Sequence, residues 1–398
     1  MRCLSAFAAI LTVVAGAFFL LQGRSACPNG GALQDLPLPP PPPPPSKALL
    51  LALGVITAPG HFNRRVWMRQ KLRVTEARRR GVRVLFVLGS QNRMNGKQRK
   101  AVRHEERAHR DVIFVRARDY LPHAVAEKSL GWWLYAASHL QAKWVGKTDD
   151  DSLTHLPRLE HELRLMATMA RQGRSHFYYG VMTWRCWVPF HSEPDGACGA
   201  RGDDGPLPQR PGGAAPSTAT LPSLIRQCSA GGECRAAIGP FPFADGSLQL
   251  LSSDLMLAVT GTSLARNFSA SHGAKKQPPF WTHEDAAMGY LIFHTAMSQA
   301  LPLTYVVLSA WRHNKFWLNW YPRNNPSLPN AHTVNTHKVV TPMMAQIALD
   351  AYENTTYAAD PIQCHDCRKS WGWRLDEKPQ YGRVPFEKFA CCNKALDK

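Results

Sequence analysis

The sequence predicts an α/β protein built around a mostly parallel central sheet, and three observations predict it. The chain of 398 residues is 44% hydrophobic, enough to fill a sizeable core. From residue 48 it opens with a βαβ pattern. Strand-like and helix-like stretches then keep alternating for roughly a hundred residues, which implies crossover helices between parallel strands.

In order, ALLLALGVIT (48–57) is strand-like, NRRVWMRQKLRVTEARRR (63–80) helix-like and VRVLFVL (82–88) strand-like. A polar helix over 95–109, a short strand over 112–115 and a helix over 124–140 follow. The strand AKWVGK (142–147) then delivers three consecutive acids, Asp149, Asp150 and Asp151. Ligands of such sheets sit beyond the carboxyl ends of the strands, and the triplet is at that edge. A helix near 156–171, the apolar HFYYGVMTW (176–184), a Gly-, Pro- and Ala-rich insertion over 196–239 and PFPFADGSLQLLSSDLMLAV (240–259) come next. A helix starting at Thr282 and an aromatic-rich stretch from Trp311 to Tyr321 precede a cysteine-rich tail over 360–398.

The N-terminus has a different composition. Leu4 to Leu21 is eighteen residues without a charge, between Arg2 and Arg24, near the lower limit for spanning a bilayer. It reads as a signal peptide or a membrane anchor, and Arg24 at the nearest cleavage-like position favours an uncleaved anchor. Residues 22–47 contain seven consecutive prolines, Pro39 to Pro45, an extended spacer. The expected order is tail (1–3), anchor (4–21), Pro-rich stem (22–47) and lumenal domain (48–398).

Eight of the ten cysteines lie beyond the stem, at 186, 198, 228, 234, 364, 367, 391 and 392. An even number suits complete pairing in an oxidising lumen, and disulfides are favoured over zinc for the CHDC and CC of the tail. Asn267 and Asn354 begin N-glycosylation sequons. The formal charge of +19 points to anionic partners, among which the compartment removes nucleic acid.

Adjacent carboxylates repel, so Asp149 to Asp151 is either a solvated acidic turn or a site for a cation. The spaced pattern of a calcium loop is absent, and so is a P-loop. What remains is a metal bridging to a substrate phosphate. The second acidic site is WTHEDAAMGYLIFH (281–294), with Glu284 and Asp285 in the first turn of a helix. Those acids complement the helix dipole, and the same position suits a general base kept ionised by the local field.

Seven segments together resemble a known family. They are VITAPGHFNRRVWMRQ (55–70) with VRVLFVLGS (82–90), HEERAHRDVI (104–113) with Lys128 and Trp133 beyond it, KTDDD (147–151), FPFADGSLQLLS (241–252), EDAAMG (284–289) and VNTHKVVTPMM (334–344). Their order is similar to that of glycosyltransferase family 31, the Golgi β-1,3-glycosyltransferases that include β-1,3-galactosyltransferases and Fringe-type enzymes. The resemblance implies a GT-A (Rossmann-like) fold, a UDP-sugar donor, a glycoprotein, glycolipid or proteoglycan acceptor, and a single-pass type II Golgi membrane protein. It implies Mn²⁺ or Mg²⁺ on Asp151 and His337, with His313 and His332 as rivals of the latter. It further implies Asp149 near the donor ribose, Asp150 in support, Asp285 as base with Glu284 beside it, and Arg64, Arg65, Arg69 and Lys128 on the donor. Galactose transfer is the expected activity, with N-acetylglucosamine transfer and a catalytically silent scaffold as alternatives. The chain departs from the family pattern at Gln70-Lys71, at Ala244-Asp245 and in the insertion, which bears on the acceptor.

Overall fold

The computed structural model describes residues 48–119, 124–187, 238–270, 284–308, 313–315, 328–358, 362–366 and 390–394. The chain divides into two units, Met1–Pro42 and Pro43–Lys398. The expected tail, anchor and stem lie outside the described residues, as do the insertion up to residue 237, Thr282 and the aromatic stretch apart from His313–Lys315. Among the described residues no helix is long and apolar enough to cross a membrane. Both sequon asparagines are exposed.

Strand β1 (Leu49–Ile56) has no polar side chain and is buried over most of its length, the pattern of a strand covered on both faces. It pairs in parallel with β2 (Val82–Leu88) on one side and β4 (Ala142–Asp149) on the other, and β3 (Val112–Phe114) extends β2 in parallel. The order β3-β2-β1-β4 reverses between β1 and β4. That reversal makes a topological switch point, where the loops diverge and leave a crevice for ligands. Antiparallel β7 (Ile238–Ser252) joins β4, and β6 (Phe177–Trp187), β8 (Thr304–Val307), β12 (Ala390–Lys394) and antiparallel β11 (Ile362–Asp366) complete a nine-stranded, mostly parallel sheet. Cys364 and Cys392, register partners at its far edge, are joined in a disulfide, and Cys391 is disulfide-bonded too. A smaller sheet orders β5 (Ser152–Thr154), β10 (Asn335–His337) and β9 (His313–Lys315) as β5-β10-β9.

Helices cover both faces. On one lie α4 (Ala124–His139), α6 (Ser253–Thr260), α7 (Ser263–Ala270) and α8 (Glu284–Ser298), burying Trp132, Trp133, Leu255 and Leu291 against Ala52 and Val87. On the other lie α1 (Phe62–Lys71), α2 (Val74–Arg79), α3 (Gly96–His109), α5 (Leu156–Arg171) and α9 (Pro342–Glu353), burying Trp67, Leu159 and Ala345 against Leu51, Leu53 and Val55. The alternation along β1 is that of a strand whose successive side chains point to opposite faces.

The stretch 63–80, expected as one helix, folds as two. Arg73 takes a left-handed φ of 47° between α1 and α2. On a continuous helix Ala77 would lie opposite Met68, nine residues earlier, and face solvent. The break turns it inward, so that Met68, Leu72 and Ala77 are all buried.

Two features of this frame position the site. Between the pairs Gly180↔Gln249 and Met182↔Ala244 strand β7 bulges, pushing Asp245 to Leu248 out of register with β6. The FPFADGSLQLLS segment is therefore a bulged strand. Helix α8 lies directly on β7: a Cβ added at Gly289 would collide with Phe243 Cβ and sit 2.9 Å from its Cα. Gly289→Ala is expected to lift the helix off the strand at a cost of about 1–3 kcal/mol. The readout is a lower urea midpoint at unchanged m; an unshifted midpoint would rule out this close seating.

Candidate active site

The register pairs Ile56 with Asp149, so β4 delivers the acidic triplet beside the end of β1, at the switch point. The three carboxylates then take different roles. Asp150 is buried; it accepts hydrogen bonds from Thr57 Oγ1 at 2.6 Å and Arg64 at 2.7 Å, and lies 2.6 Å from His61 Nδ1. Burial works against its charge, yet His61 and Thr57 hold the carboxyl below the usual range. Asp150 thus fastens the triplet to the turn after β1, and Arg64 is part of that clasp.

Asp149 and Asp151 form a cluster with His337, with one donor atom from each all within 4.8 Å of one another. Nearly two hundred residues of chain are bridged by the small sheet, in which His337 is the register partner of Ser152 and the Val339 N–H donates to the Asp151 carbonyl at 2.7 Å. His337 Nε2 is 3.3 Å from Asp151 Oδ1 without the alignment of a hydrogen bond, and that buried oxygen has no hydrogen-bond donor. Lys338, in the left-handed region at φ 63°, places Nζ 3.1 Å from Asp151 Oδ2. Burial opposes ionisation of Asp151, but His337 and then Lys338 hold it well below the usual carboxylate range. Two carboxylates and an imidazole, with a buried oxygen lacking a donor, fit a divalent cation such as Mn²⁺ or Mg²⁺. His332 lies outside this cluster, its N–H donating to Asn330 Oδ1 at 2.8 Å.

The second acidic pair sits one side chain away. The fully buried Lys147 ammonium lies 2.9 Å from Asp149 Oδ1 and 3.0 Å from Glu284 Oε2, and donates to the Gly246 carbonyl at 2.6 Å. The bulge in β7 leaves Gly246 against the pair: a Cβ there would overlap Asp285 Oδ1 and lie 2.8 Å from Glu284 Oε2. Burial pushes Glu284 up, but Lys147 together with hydrogen bonding to Asp285 holds it below its ordinary value. Asp285 behaves oppositely. Burial, and next the Glu284 carboxylate beside it, raise its carboxyl well above the ordinary value. This runs against the expectation that the helix end keeps Asp285 ionised: of two carboxylates in contact, Asp285 is the one whose charge burial and its neighbour disfavour.

The expectation for Arg65 and Arg69 also needs correction. Arg65 is fully buried and donates to both Glu105 oxygens, at 2.9 and 2.7 Å, and to the Ala58 carbonyl at 2.6 Å. Arg69 bonds Glu105 and Asp111, at 2.7 to 2.8 Å. Their cations are matched by carboxylates beneath the turn after β1, so they brace the site from below instead of facing a diphosphate. Lys128 comes to the same sheet edge, donating to the Thr57 carbonyl at 2.6 Å and lying 3.4 Å from Asp119, with burial lowering its pKa.

Residues without a prior assignment complete the picture. Lys147 was legible in principle, since a lysine inside an apolar strand, two residues before Asp149, shares its face. Asp245, 4.0 Å from His337 Nδ1, and Lys338 have no sequence signal beyond adjacency to motifs.

Fold and site define a doubly covered, mostly parallel α/β protein with a cluster of two carboxylates and an imidazole at its switch point. Residues 62–187, from α1 to the end of β6 and including the triplet, match the galactosyltransferase family model. No curated protein matches it. Among solved structures, WbbM, a bifunctional glycosyltransferase in its apo form, is similar at 9% identity over 78% of this chain and 52% of its own, TM-score 0.33. HddC from Yersinia pseudotuberculosis is similar at 7% identity, over 52% and 78%, TM-score 0.22. An active-site mutant of LgtC stands at 9%, over 73% and 88%, TM-score 0.29. The chain spans about half the length of the bifunctional enzyme, and at these scores the likenesses carry no argument.

Proposed function

We propose that the chain is a metal-dependent, inverting β-1,3-glycosyltransferase of GT-A fold that moves galactose from UDP-galactose to a hydroxyl of a glycan acceptor. On this reading it acts in protein glycosylation as a single-pass type II Golgi membrane protein with the catalytic domain lumenal. The observation that carries it is Lys147, whose ammonium joins Asp149 of the cation cluster to Glu284 of the acidic pair. A leaving-group site and a proton-accepting site are thereby held one side chain apart.

A divalent cation held by Asp149, Asp151 and His337 would offset the charge developing on a departing diphosphate. The rest falls to the chain itself. Asp285, once deprotonated, takes the proton of the acceptor hydroxyl as its oxygen attacks the anomeric carbon from the face opposite UDP, so the α-linked sugar becomes β-linked. Lys147 keeps Glu284 ionised, and Glu284 in turn holds the hydrogen-bonding position of Asp285. Asp150, clasped by Thr57, His61 and Arg64, keeps the triplet from relaxing outward under its own repulsion.

The test has two parts. UDP release should require Mn²⁺ or Mg²⁺ and favour UDP-galactose over UDP-N-acetylglucosamine, UDP-glucose and UDP-N-acetylgalactosamine; preference for another donor would reassign the sugar alone. Calorimetry should show UDP binding that depends on Mn²⁺ and weakens about 100-fold or more in Asp151→Asn, beyond the 10–100-fold of outer-shell changes at metal sites. UDP binding indifferent to metal, or intact in Asp151→Asn, would overturn the cation site.

A further inference from the structure

The exposed face of α3 is a stripe of cations. Lys97, Lys100, Arg103 and Arg107, with Arg110 just past its end, are all exposed, while Val102 and Glu105 are the buried side. At 100° per residue the stripe centres opposite that buried side. It presents about one cation per turn over roughly 20 Å.

Basic helix faces are commonly no more than solvated, but two observations set this one apart. Several cations elsewhere are matched: Arg73 with Glu353, Arg80 with Glu76 and Glu160, Arg118 with Glu127 and Arg64 with Asp150. Among the described residues, Lys97, Lys100, Arg103, Arg107 and Arg110 form no ion pair. Of the two acids that α3 supplies, Glu105 is turned inward to Arg65 and Arg69, and Glu106 is half-buried at the margin of the stripe. The second observation is placement. Helix α3 follows β2 through the short turn Gln91–Arg93, with Asn95 and Gln98 forming a capping box at its start. The stripe therefore begins at the carboxyl edge of the sheet, the edge that carries the acidic triplet, and runs away from it.

No large apolar side chain is exposed on this face, so it lacks what an interfacial helix inserts into a bilayer. Its chemistry suits a hydrated polymer with regularly spaced negative charges. We propose that the α3 face binds an extended acidic glycan bearing carboxylate or sulfate groups, and that the acceptor of the transferase belongs to that class. The glycan part of this rests on the transferase reading above; the polyanion part rests on the stripe.

The test titrates the full-length chain with a sulfated heparin-type hexasaccharide and a neutral hexasaccharide, at low and physiological salt. The quadruple variant Lys97→Glu, Lys100→Glu, Arg103→Glu, Arg107→Glu is compared with a charge-matched control, Arg78→Glu, Arg79→Glu, Arg164→Glu, Arg171→Glu, at other exposed sites. Expected are binding of the sulfated probe alone, steep weakening with salt, at least a tenfold loss in the α3 variant and no more than twofold in the control. Equal losses in the two variants, no loss in either, or equal binding of the neutral sugar would overturn the proposal. An acidic peptide of equal charge binding as tightly would overturn the glycan class. Mn²⁺-dependent UDP binding, measured on the same samples, reports folding and keeps the readings apart. Its absence from the parent chain sinks the transferase reading and the acceptor role; its retention beside lost stripe dependence sinks the α3 proposal alone.

Discussion

Asp285→Asn is expected to lower kcat by about 10²- to 10⁴-fold, the usual contribution of a positioned general base, with Mn²⁺-dependent UDP binding unchanged. Asparagine keeps the shape and cannot take a proton. The parent enzyme should also show an acid limb in its pH profile well above that of an ordinary aspartate, because burial and Glu284 raise the Asp285 carboxyl. The stability consequence has a definite sign. A carboxyl whose folded pKa is raised contributes stability fully present below its unfolded value of roughly 3.9 and lost as pH rises through the folded value. Above the folded value the parent has lost that contribution, so Asp285→Asn should be at least as stable there and the parent's relative position should improve toward acid pH. A variant retaining turnover, or one that also loses UDP binding, would remove Asp285 from the base role.

The second large effect lies beneath the site. Glu105→Ala should destabilise the fold by about 3–5 kcal/mol, the cost of leaving a buried charge without its partner. Arg65, fully buried, loses both its carboxylate bonds, and Arg69 loses one. The damage should travel. Arg65 holds the Ala58 carbonyl in the turn that follows Thr57, and Thr57 Oγ1 holds Asp150. Glu105→Ala should therefore weaken Mn²⁺-dependent UDP binding although Glu105 is remote from any ligand. Chemical denaturation and calorimetry read the two effects separately; a loss under 1 kcal/mol would show that Arg65 finds another partner.

Most of the frame was legible before the coordinates. Near-continuous apolar strands and polar helices placed β1 to β4 and α3 to α5 within a residue or two, and parallel pairing followed from the crossovers. Side-chain fate was less legible, for identifiable reasons. Arg64, Arg65 and Arg69 look alike in sequence; only the depth of Glu105 and Asp111 sends two of them inward while Arg64 reaches Asp150. His337 could be chosen over His332 and His313 only by resemblance, because the pairing of β5 with β10 joins segments far apart in the chain. The bulge in β7 has no local signature beyond Gly246, yet it sets how close Asp285 and Lys147 approach. The protonation of Asp285 was misjudged because a helix-end field acts on one charge at a time, whereas Glu284 and Asp285 titrate as a pair.

Strands β6 and β7 end as register partners, Trp187 beside Ile238. Residues 188–237 thus leave and re-enter the sheet at neighbouring points, and the sheet itself closes that excursion. Since closure entropy grows only slowly with length, the distance between the two ends sets little limit on how long the segment between them is. A change of length between those two ends leaves the paired strands that place Asp149, Asp151 and His337 with the same neighbours in the sheet, so that novelty in this chain and constancy of its chemistry need not compete.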